Sequence, residues 1–255
     1  MTHDIIDCHG KGKALKNARH VVINAHLLSG PTGYRQAGIH RYIDCLLQHL
    51  EQNAPDLHYS VLTGRDGLPP EISLPCRQSR WPTAKAPIRA AWEQLVQPIA
   101  LHRMRADLVH APAFVGPLYT PCPIVITIHD LSFIRFPQLF RPANRFYLTW
   151  LTRLSVRRAR RLIAVSAHAA DESVKLLGVS PEKIDVVYHG VDPMYRPLPA
   201  GAVAAFRRRR GLPERFILFV GTLEPRKNLV RLVEAFARIR HAEISLVLVG
   251  GKGWL

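Results

Sequence analysis

Residues 124–133 have the sequence IVITIHDLSF, and this stretch decides the fold class. Its first five residues are apolar or β-branched, which is typical of a strand covered by helices on both faces of a parallel sheet. His129 and Asp130 follow directly where that strand ends. Ligands of open parallel sheets bind beyond the carboxyl ends of the strands. The stretch therefore predicts a buried strand that delivers a His-Asp pair to a ligand-binding edge.

Runs of the same kind recur along the chain, with helical patterns between many of them. Further strands are predicted at 21–25, 59–63, 108–110, 162–165, 184–188, 216–220 and 245–249. Helices are predicted at 39–52, 88–105, 143–160, 167–177 and 229–239. This alternation predicts an α/β fold with a doubly wound, mainly parallel sheet.

A change in composition divides the chain into segments. Residues 192–214 hold four prolines around four consecutive arginines at 207–210, which predicts a linker with one short helix. Residues 20–191 are predicted to form the N-terminal domain, and residues 1–19 a flexible leader outside the fold. Residues 215–255 are too few to bury their two apolar strands, so we expect an incomplete second domain.

The charge and cysteine content narrow the class of protein. The chain has 35 Lys and Arg against 19 Asp and Glu, a net charge of +16, which indicates an anionic partner. Its four cysteines are far apart and form no CxxC pair, which excludes a dense disulfide framework and predicts a cytoplasmic protein. The longest stretch without a charge or histidine, 111–128, contains four prolines and does not suit a membrane-spanning helix.

Half of the excess positive charge lies at 131–170, where eight arginines occur without any Asp or Glu. Helical spacing places five of them on one predicted surface: Arg145, Arg153, Arg157, Arg160 and Arg161. Another face is predicted to carry Phe146, Trp150, Leu151 and Leu154. Two interpretations stay open, a solvated helix face and a basic surface that docks on anionic lipid.

Two glycine-containing turns are candidate phosphate sites. The first, with Gly33 and Gly38, leads into the helix predicted from residue 39, and amides at a helix N-terminus attract phosphate. The second begins at Gly221 after a predicted strand and brings Arg226 and Lys227 to the next helix start, as a diphosphate clamp would. Each turn also has an interpretation without a ligand. The first would be a simple connecting loop, and the second would be a solvated helix cap.

Five short motifs follow these strands and turns. They are GIHRY at 38–42, HDLSF at 129–133, IAVS at 163–166, VYHGVD at 187–192 and GTLEPRKN at 221–228. With these five motifs in this order, the chain resembles the GT-B glycosyltransferases of the large retaining family 4. That family includes mannosyl- and glucosyltransferases of polysaccharide synthesis.

The resemblance implies a Rossmann-like N-terminal domain that holds the acceptor and the start of a second Rossmann-like domain that holds a nucleotide-sugar. It implies transfer of a hexose of the mannose or glucose type to a glycan or lipid-linked acceptor, in polysaccharide or cell-envelope synthesis. The anomeric configuration would be retained, with the nucleotide-sugar as substrate and neither cofactor nor bound metal. The expected location is the cytoplasm, including peripheral contact with the inner face of an anionic membrane.

The resemblance also implies roles for particular residues. His129 and Asp130 would be catalytic, with His129 against the donor sugar near the reacting carbon. Gly38 and Arg41, with Gly33, would belong to the glycine loop that approaches the donor phosphates. The leaving diphosphate would be held by Gly221, Arg226 and Lys227.

The chain departs from the family pattern at three places. Thr222 stands where an Arg often follows the glycine turn, and His189 stands where Asn is usual. The paired glutamates that bind the donor would lie beyond residue 255. Two alternatives therefore remain, an inactive truncated remnant and a basic nucleic-acid-binding α/β module. A nucleic-acid partner is not expected, because the sequence has no helix-turn-helix, zinc-finger, RRM or KH signature.

Overall fold

The computed structural model describes residues 5–7, 19–28, 38–140, 142–239 and 243–251. The chain divides into two compact units, Met1–His189 and Gly190–Leu255. Gly33 of the predicted glycine loop lies outside the described residues.

The first unit is built on one eight-stranded sheet. Its strands are β1 Ile5–Asp7, β2 His20–Asn24, β3 His58–Thr63, β4 Cys76–Ser79, β5 Leu108–Ala111, β6 Ile124–Ile128, β7 Arg161–Ala164 and β8 Ile184–Val186. They lie in the order β1-β4-β3-β2-β5-β6-β7-β8. All neighbours pair in parallel except β1, which is antiparallel to β4. The predicted α/β fold with a mainly parallel sheet is confirmed.

Strand β1 lies inside the segment that was predicted to be a leader outside the fold. Ile5 pairs with Ser79 and Asp7 with Arg77 of β4. The pairing covers the outer edge of β4, whose backbone donors and acceptors would otherwise lack strand partners. The leader prediction is therefore wrong for residues 5–7.

Six α-helices lie between these strands in the described residues of the unit. They are α1 Gly38–Asn53, α2 Ala86–Leu95, α3 Gln97–Arg103, α4 Ser132–Arg135, α5 Pro142–Arg158 and α6 Ala167–Leu177. The single helix predicted at 88–105 is two helices, because Pro98 has no backbone N–H and is accommodated in the first turn of α3 rather than inside a longer helix.

The core of the first unit lies on both sides of the sheet. Ile124, Ile126 and Ile128 of β6 are fully buried and pack with Trp92 and Val156 in one cluster. A second cluster joins α1 to strands β2, β3 and β4. This burial on both faces explains why the apolar run at 124–128 is continuous rather than alternating.

The second unit contains a parallel pair of strands with two helices. Its elements are α7 Ala200–Arg210, β9 Arg215–Val220, α8 Leu229–Ala237 and β10 Ile244–Val249, with a 3-10 turn at Pro225–Lys227. The predicted linker helix thus corresponds to α7. Among its described residues no apolar side chain is fully buried, and Leu218 and Val220 are 53% and 69% exposed. The apolar strands of this unit are poorly covered.

We expect the second unit to be cleaved far more readily than the first. Trypsin should cut first at the four arginines 207–210, because α7 buries none of its side chains and opens locally at little cost. Arg157 and Arg158 serve as internal controls. They are also exposed, but they end helix α5, whose inner face is buried. Mass spectrometry of a timed digest checks this, and equal cleavage rates at the two helices would contradict it.

Candidate functional site

His129 and Asp130 lie at the carboxyl end of β6, as predicted. His129 Nε2 is 2.8 Å from the carbonyl oxygen of Pro112, and because a carbonyl only accepts, Nε2 carries the proton. Burial lowers the pKa of His129, so its ring is neutral near pH 7. Asp130 Oδ1 accepts hydrogen bonds from the backbone N–H and the hydroxyl of Ser132, at 2.9 and 2.6 Å. One carboxylate oxygen of Asp130 therefore accepts both hydrogen bonds and fixes Ser132, the first residue of α4.

Aromatic rings from two other motifs, and Phe114 from outside the five motifs, surround His129. Tyr42 of α1 lies edge-on to it, with the ring centroids 4.9 Å apart. His189 stacks on His129 at 6.0 Å and lies 5.1 Å from Tyr42. Phe114 closes another side, with its centroid 5.8 Å from His129. The motifs that are distant in sequence therefore form one ring cluster at the sheet edge.

A buried hydroxyl joins this cluster to the sheet. Thr127 Oγ1 lies 3.2 Å from the Tyr42 hydroxyl and 2.9 Å from His110 Nε2. Burial, with a smaller contribution from His129, lowers the pKa of His110 to about 4, and burial raises the pKa of Tyr42. His110, His129 and Tyr42 are thus uncharged near neutral pH, which suits them to bind hydroxyl groups rather than an anion.

The described part of the glycine loop lies beside this edge. Gly38 is the first residue of α1 and is exposed, with no described atom near the position of a Cβ. Arg41, one turn further along α1, is also exposed. Packing against the described residues therefore does not require glycine at residue 38.

Sequence reasoning missed a second polar cluster at the end of β2. Asn24 Nδ2 donates to Glu93 Oε1 at 3.3 Å and to Gln97 Oε1 at 3.4 Å, and His26 Nδ1 lies 3.0 Å from Thr83 Oγ1. Burial raises the pKa of Glu93 to about 7 and lowers that of His26 to about 3. Within the described chain, Glu93 Oε2, Gln97 Nε2 and His26 Nε2 have no hydrogen-bond partner. The cluster can therefore bind water or hydroxyl groups.

The turn after β9 is held tightly against the turn after β10. The Gly221 N–H donates to Val249 O, and the Leu223 N–H donates to Gly251 O, both at 2.9 Å. A Cβ added at Gly250 would lie 1.8 Å from the carbonyl oxygen of Gly221. Glycine at 250 is thus required by this close approach.

The two predicted clamp cations lie in different surroundings. They occupy the 3-10 turn before α8, whose N-cap is Asn228. Arg226 donates through Nε to Glu224 Oε1 at 3.0 Å, and the Glu224 side chain is buried. Lys227 is exposed. Lys227 therefore presents its charge to solvent, whereas much of the Arg226 charge is balanced by Glu224.

The predicted arginine face of α5 is correct only in part. Arg145, Arg153 and Arg157 are exposed on the helix, but α5 ends at Arg158, so Arg160 and Arg161 do not continue this face. Arg161 begins β7 and forms an ion pair with Asp185, to which its Nε donates at 2.8 Å.

The aromatic residues of α5 also differ from the prediction. Phe146 and Trp150 were predicted on a different face from the arginines, but helical spacing places them on the side of Arg153 and Arg157, where they are 72% and 53% exposed. Leu151 is buried.

Neither a metal centre nor a membrane span is found in the described ranges. No group of three or more His, Cys, Asp or Glu side chains there is placed to ligate a metal ion. No helix among the described residues combines the length and hydropathy that a bilayer span needs.

Comparison with known proteins gives related sequences and similar folds. O-antigen chain mannosyltransferase B of Escherichia coli is 27% identical over 179 residues, which cover 66% of this chain and 43% of that protein. Sucrose-phosphate synthase from Thermosynechococcus elongatus has a TM-score of 0.66 at 16% identity, over 92% of this chain and 63% of that one. Anabaena HepE, solved in complex with UDP and glucose, has a TM-score of 0.62 at 18% identity, over 93% and 62%. The chain thus spans less than two thirds of each of these proteins.

Two family models match the chain in succession. The model of Glycosyl transferases group 1 matches residues 204–255. The model of Glycosyltransferase Family 4 matches residues 5–195. The predicted resemblance and the GT-B type of fold are confirmed, and because the second of these models covers most of its length, the chain belongs to Glycosyltransferase Family 4.

Proposed function

We propose that this protein transfers a hexose of the mannose or glucose type from a nucleotide-sugar to a glycan or lipid-linked acceptor, with retention of configuration. The observation that carries the proposal is the convergence of Tyr42, His129 and His189 at the carboxyl edge of the sheet. A mannosyltransferase among the relatives and a neighbour that binds UDP and glucose support the choice of donor. Polysaccharide or cell-envelope synthesis is the proposed setting.

His129 would bind the donor sugar through hydrogen bonds rather than through charge. Its Nε2 proton is engaged by Pro112 O, so Nδ1 is the ring atom that can accept a hydrogen bond from a sugar hydroxyl. The neighbouring rings of Tyr42 and Phe114 give that hydroxyl an apolar wall. Because the His129 ring is already fixed in place, its Nδ1 atom would orient the sugar without a rearrangement of the site.

Lys227 and the Gly221 turn would bind the diphosphate of the donor. Negative charge develops on the departing diphosphate as the bond to the sugar breaks, and a fixed cation stabilises that state more than the ground state. Arg226 would act as a hydrogen-bond donor held in place by Glu224. No cofactor is proposed, because the nucleotide-sugar is the substrate, and no metal is proposed, because the cations of this turn would balance the charge of the leaving diphosphate.

The proposed working place is the cytoplasm, against the inner face of a membrane that presents a lipid-linked acceptor. An inactive remnant is the first alternative, and a basic nucleic-acid-binding module is the second. The excess charge favours the second, but the sequence has no helix-turn-helix, zinc-finger, RRM or KH signature.

His129→Ala should lower sugar transfer from UDP-glucose or GDP-mannose by about a hundred-fold or more, because the acceptor at the reacting sugar is lost. Unfolding free energy should fall by only about 1 kcal/mol for the lost bond to Pro112. Release of nucleoside diphosphate and thermal unfolding measure the two effects.

His110→Ala is the matched control, since it removes a fully buried imidazole and leaves the Thr127 hydroxyl short of a partner. It should cost about 2 kcal/mol of stability or more. A His129→Ala variant that loses stability like His110→Ala but keeps its transfer rate would show that His129 is structural. A folded wild-type chain that binds UDP or GDP without releasing product from any donor would favour the inactive remnant.

Lys227→Ala should weaken binding of UDP and GDP by about 1 kcal/mol, since the exposed ammonium is partly screened by water. Arg226→Ala should instead lower the stability of the second unit by about 1 to 3 kcal/mol, because the buried Glu224 carboxylate loses its partner. Calorimetry measures the diphosphate affinity, or ligand-observed NMR does so where binding is weak. Thermal unfolding measures the change in stability.

The double variant Glu224→Gln/Arg226→Ala is the control for that pair. It removes the buried charge together with its partner and should recover most of the stability. Unchanged diphosphate affinity in both Lys227→Ala and the double variant would exclude this turn as the diphosphate site.

A further inference from the structure

A strained turn lies beside His129, in the loop that follows β5. Phe114 has a φ of 41°, in the left-handed region, and is the middle residue of a three-residue turn closed by a hydrogen bond from the Val115 N–H to Ala113 O. A bulky residue adopts this conformation at a cost that glycine would avoid. Such strain persists only where surrounding contacts impose it, and it is concentrated at functional sites. A phenylalanine at this position therefore indicates that its ring is needed.

The Phe114 ring lies between the core and the site at the sheet edge. Its centroid is 5.5 Å from that of Phe133, a buried ring of α4, and 5.8 Å from that of His129. The Phe114 N–H donates to Thr127 O at 3.0 Å, which fixes the turn to the end of β6. The side chain is only half-buried. Part of an aromatic ring therefore stays open to a ligand next to His129.

Side chains from two helices hold the loop just beyond this turn. Gln94 of α2 donates through Nε2 to Gly116 O at 3.2 Å, and its Oε1 accepts from the Leu118 N–H at 2.9 Å. Ser155 of α5 accepts from the Gly116 N–H at 3.2 Å and donates to Gly116 O at 3.1 Å. These hydrogen bonds fix the backbone two residues after Phe114. They supply the external constraint that a strained turn requires.

Packing and the site itself hold the loop on either side of the turn. A Cβ added at Gly116 would lie 2.3 Å from Cδ1 of Ile124, so the loop passes over β6 at a distance that only glycine permits. Pro112, before the turn, accepts the hydrogen bond of His129 Nε2 at 2.8 Å. The loop that fixes the His129 ring is therefore the same loop that carries Phe114, and a shift of one would move the other.

We propose that Phe114 is a substrate-contacting residue whose ring stacks on the apolar C–H face of the transferred hexose, and that Gln94 is the positioning residue that holds it there. A hexose presents hydroxyl groups at its rim and C–H groups on its faces. The negative face of an aromatic ring attracts such C–H groups, while His129 accepts from a hydroxyl. The proposal rests on the proposed function for the identity of the ligand, but sugar contact can be measured without any transfer reaction.

The experiment is saturation-transfer NMR of the full chain with UDP-glucose and GDP-mannose, which detects the ligand protons that contact the protein. The sugar protons should receive saturation from the wild-type chain. Phe114→Ala should weaken binding of the nucleotide-sugar by about three- to ten-fold, as loss of an aromatic contact does, and should leave binding of UDP and GDP unchanged. Phe146→Ala is the matched control, because it removes an exposed phenylalanine from α5, and it should change neither affinity.

Two further comparisons test the strain and the positioning. Phe114→Gly should unfold at a higher temperature than Phe114→Ala, because glycine adopts the turn without strain, although both variants lose the sugar contact. Gln94→Ala should weaken binding of the nucleotide-sugar by about two-fold or more at a temperature where the chain is fully folded. It should add nothing in the Phe114→Ala background, because Gln94 acts through that ring.

Several outcomes would overturn the proposal. They are sugar protons that receive no saturation from the wild-type chain, a Phe114→Ala variant that binds nucleotide-sugar normally, and equal losses for nucleotide-sugar and free diphosphate. Additive effects of Gln94→Ala and Phe114→Ala would contradict the positioning role, and a Phe114→Ala variant more stable than Phe114→Gly would contradict the strain. Sugar contact at Phe114 without transfer would contradict only the proposed function. Sugar transfer at the wild-type rate by Phe114→Ala would contradict only this proposal.

Discussion

The rest of the structure depends on the burial of β6 on both faces. Ile124, Ile126 and Ile128 are buried on one face of the strand and Thr127 is buried on the other, so the charged groups of its motif occur where the strand ends. Neighbouring parallel strands end at the same edge, and α1 begins there as well. The side chains around His129 therefore come together because the strands that carry them end at the same edge of the sheet.

His110 and His129 are tolerated at this edge because they are neutral. They lie close together, and burial disfavours the charged form of each. Thr127 can satisfy both His110 and Tyr42 because a hydroxyl donates and accepts. In the second unit the opposite solution is found, since the buried Glu224 keeps a charged partner in Arg226. The two units thus place different electrostatics beside their turns, neutral hydrogen-bonding groups in the first and a buried ion pair in the second.

Much of the sheet could be predicted from sequence because its central strands consist mainly of apolar and β-branched residues. Strand β4, with the sequence CRQS, was missed because its polar residues form no such run. The cluster of Asn24 and Glu93 was missed because its members are 69 residues apart and no local signal links them. Phe146 and Trp150 were assigned to a different face from the arginines, although helical spacing places them beside Arg153 and Arg157.

The contact between the Gly221 and Gly250 turns has a consequence for the thermodynamics of ligand binding. Two backbone hydrogen bonds and a close approach that only glycine permits fix the turn after β9. Its conformational entropy is therefore already lost when the unit folds. A ligand that meets this turn would not have to order it, so less of the interaction free energy would be spent on immobilising the backbone.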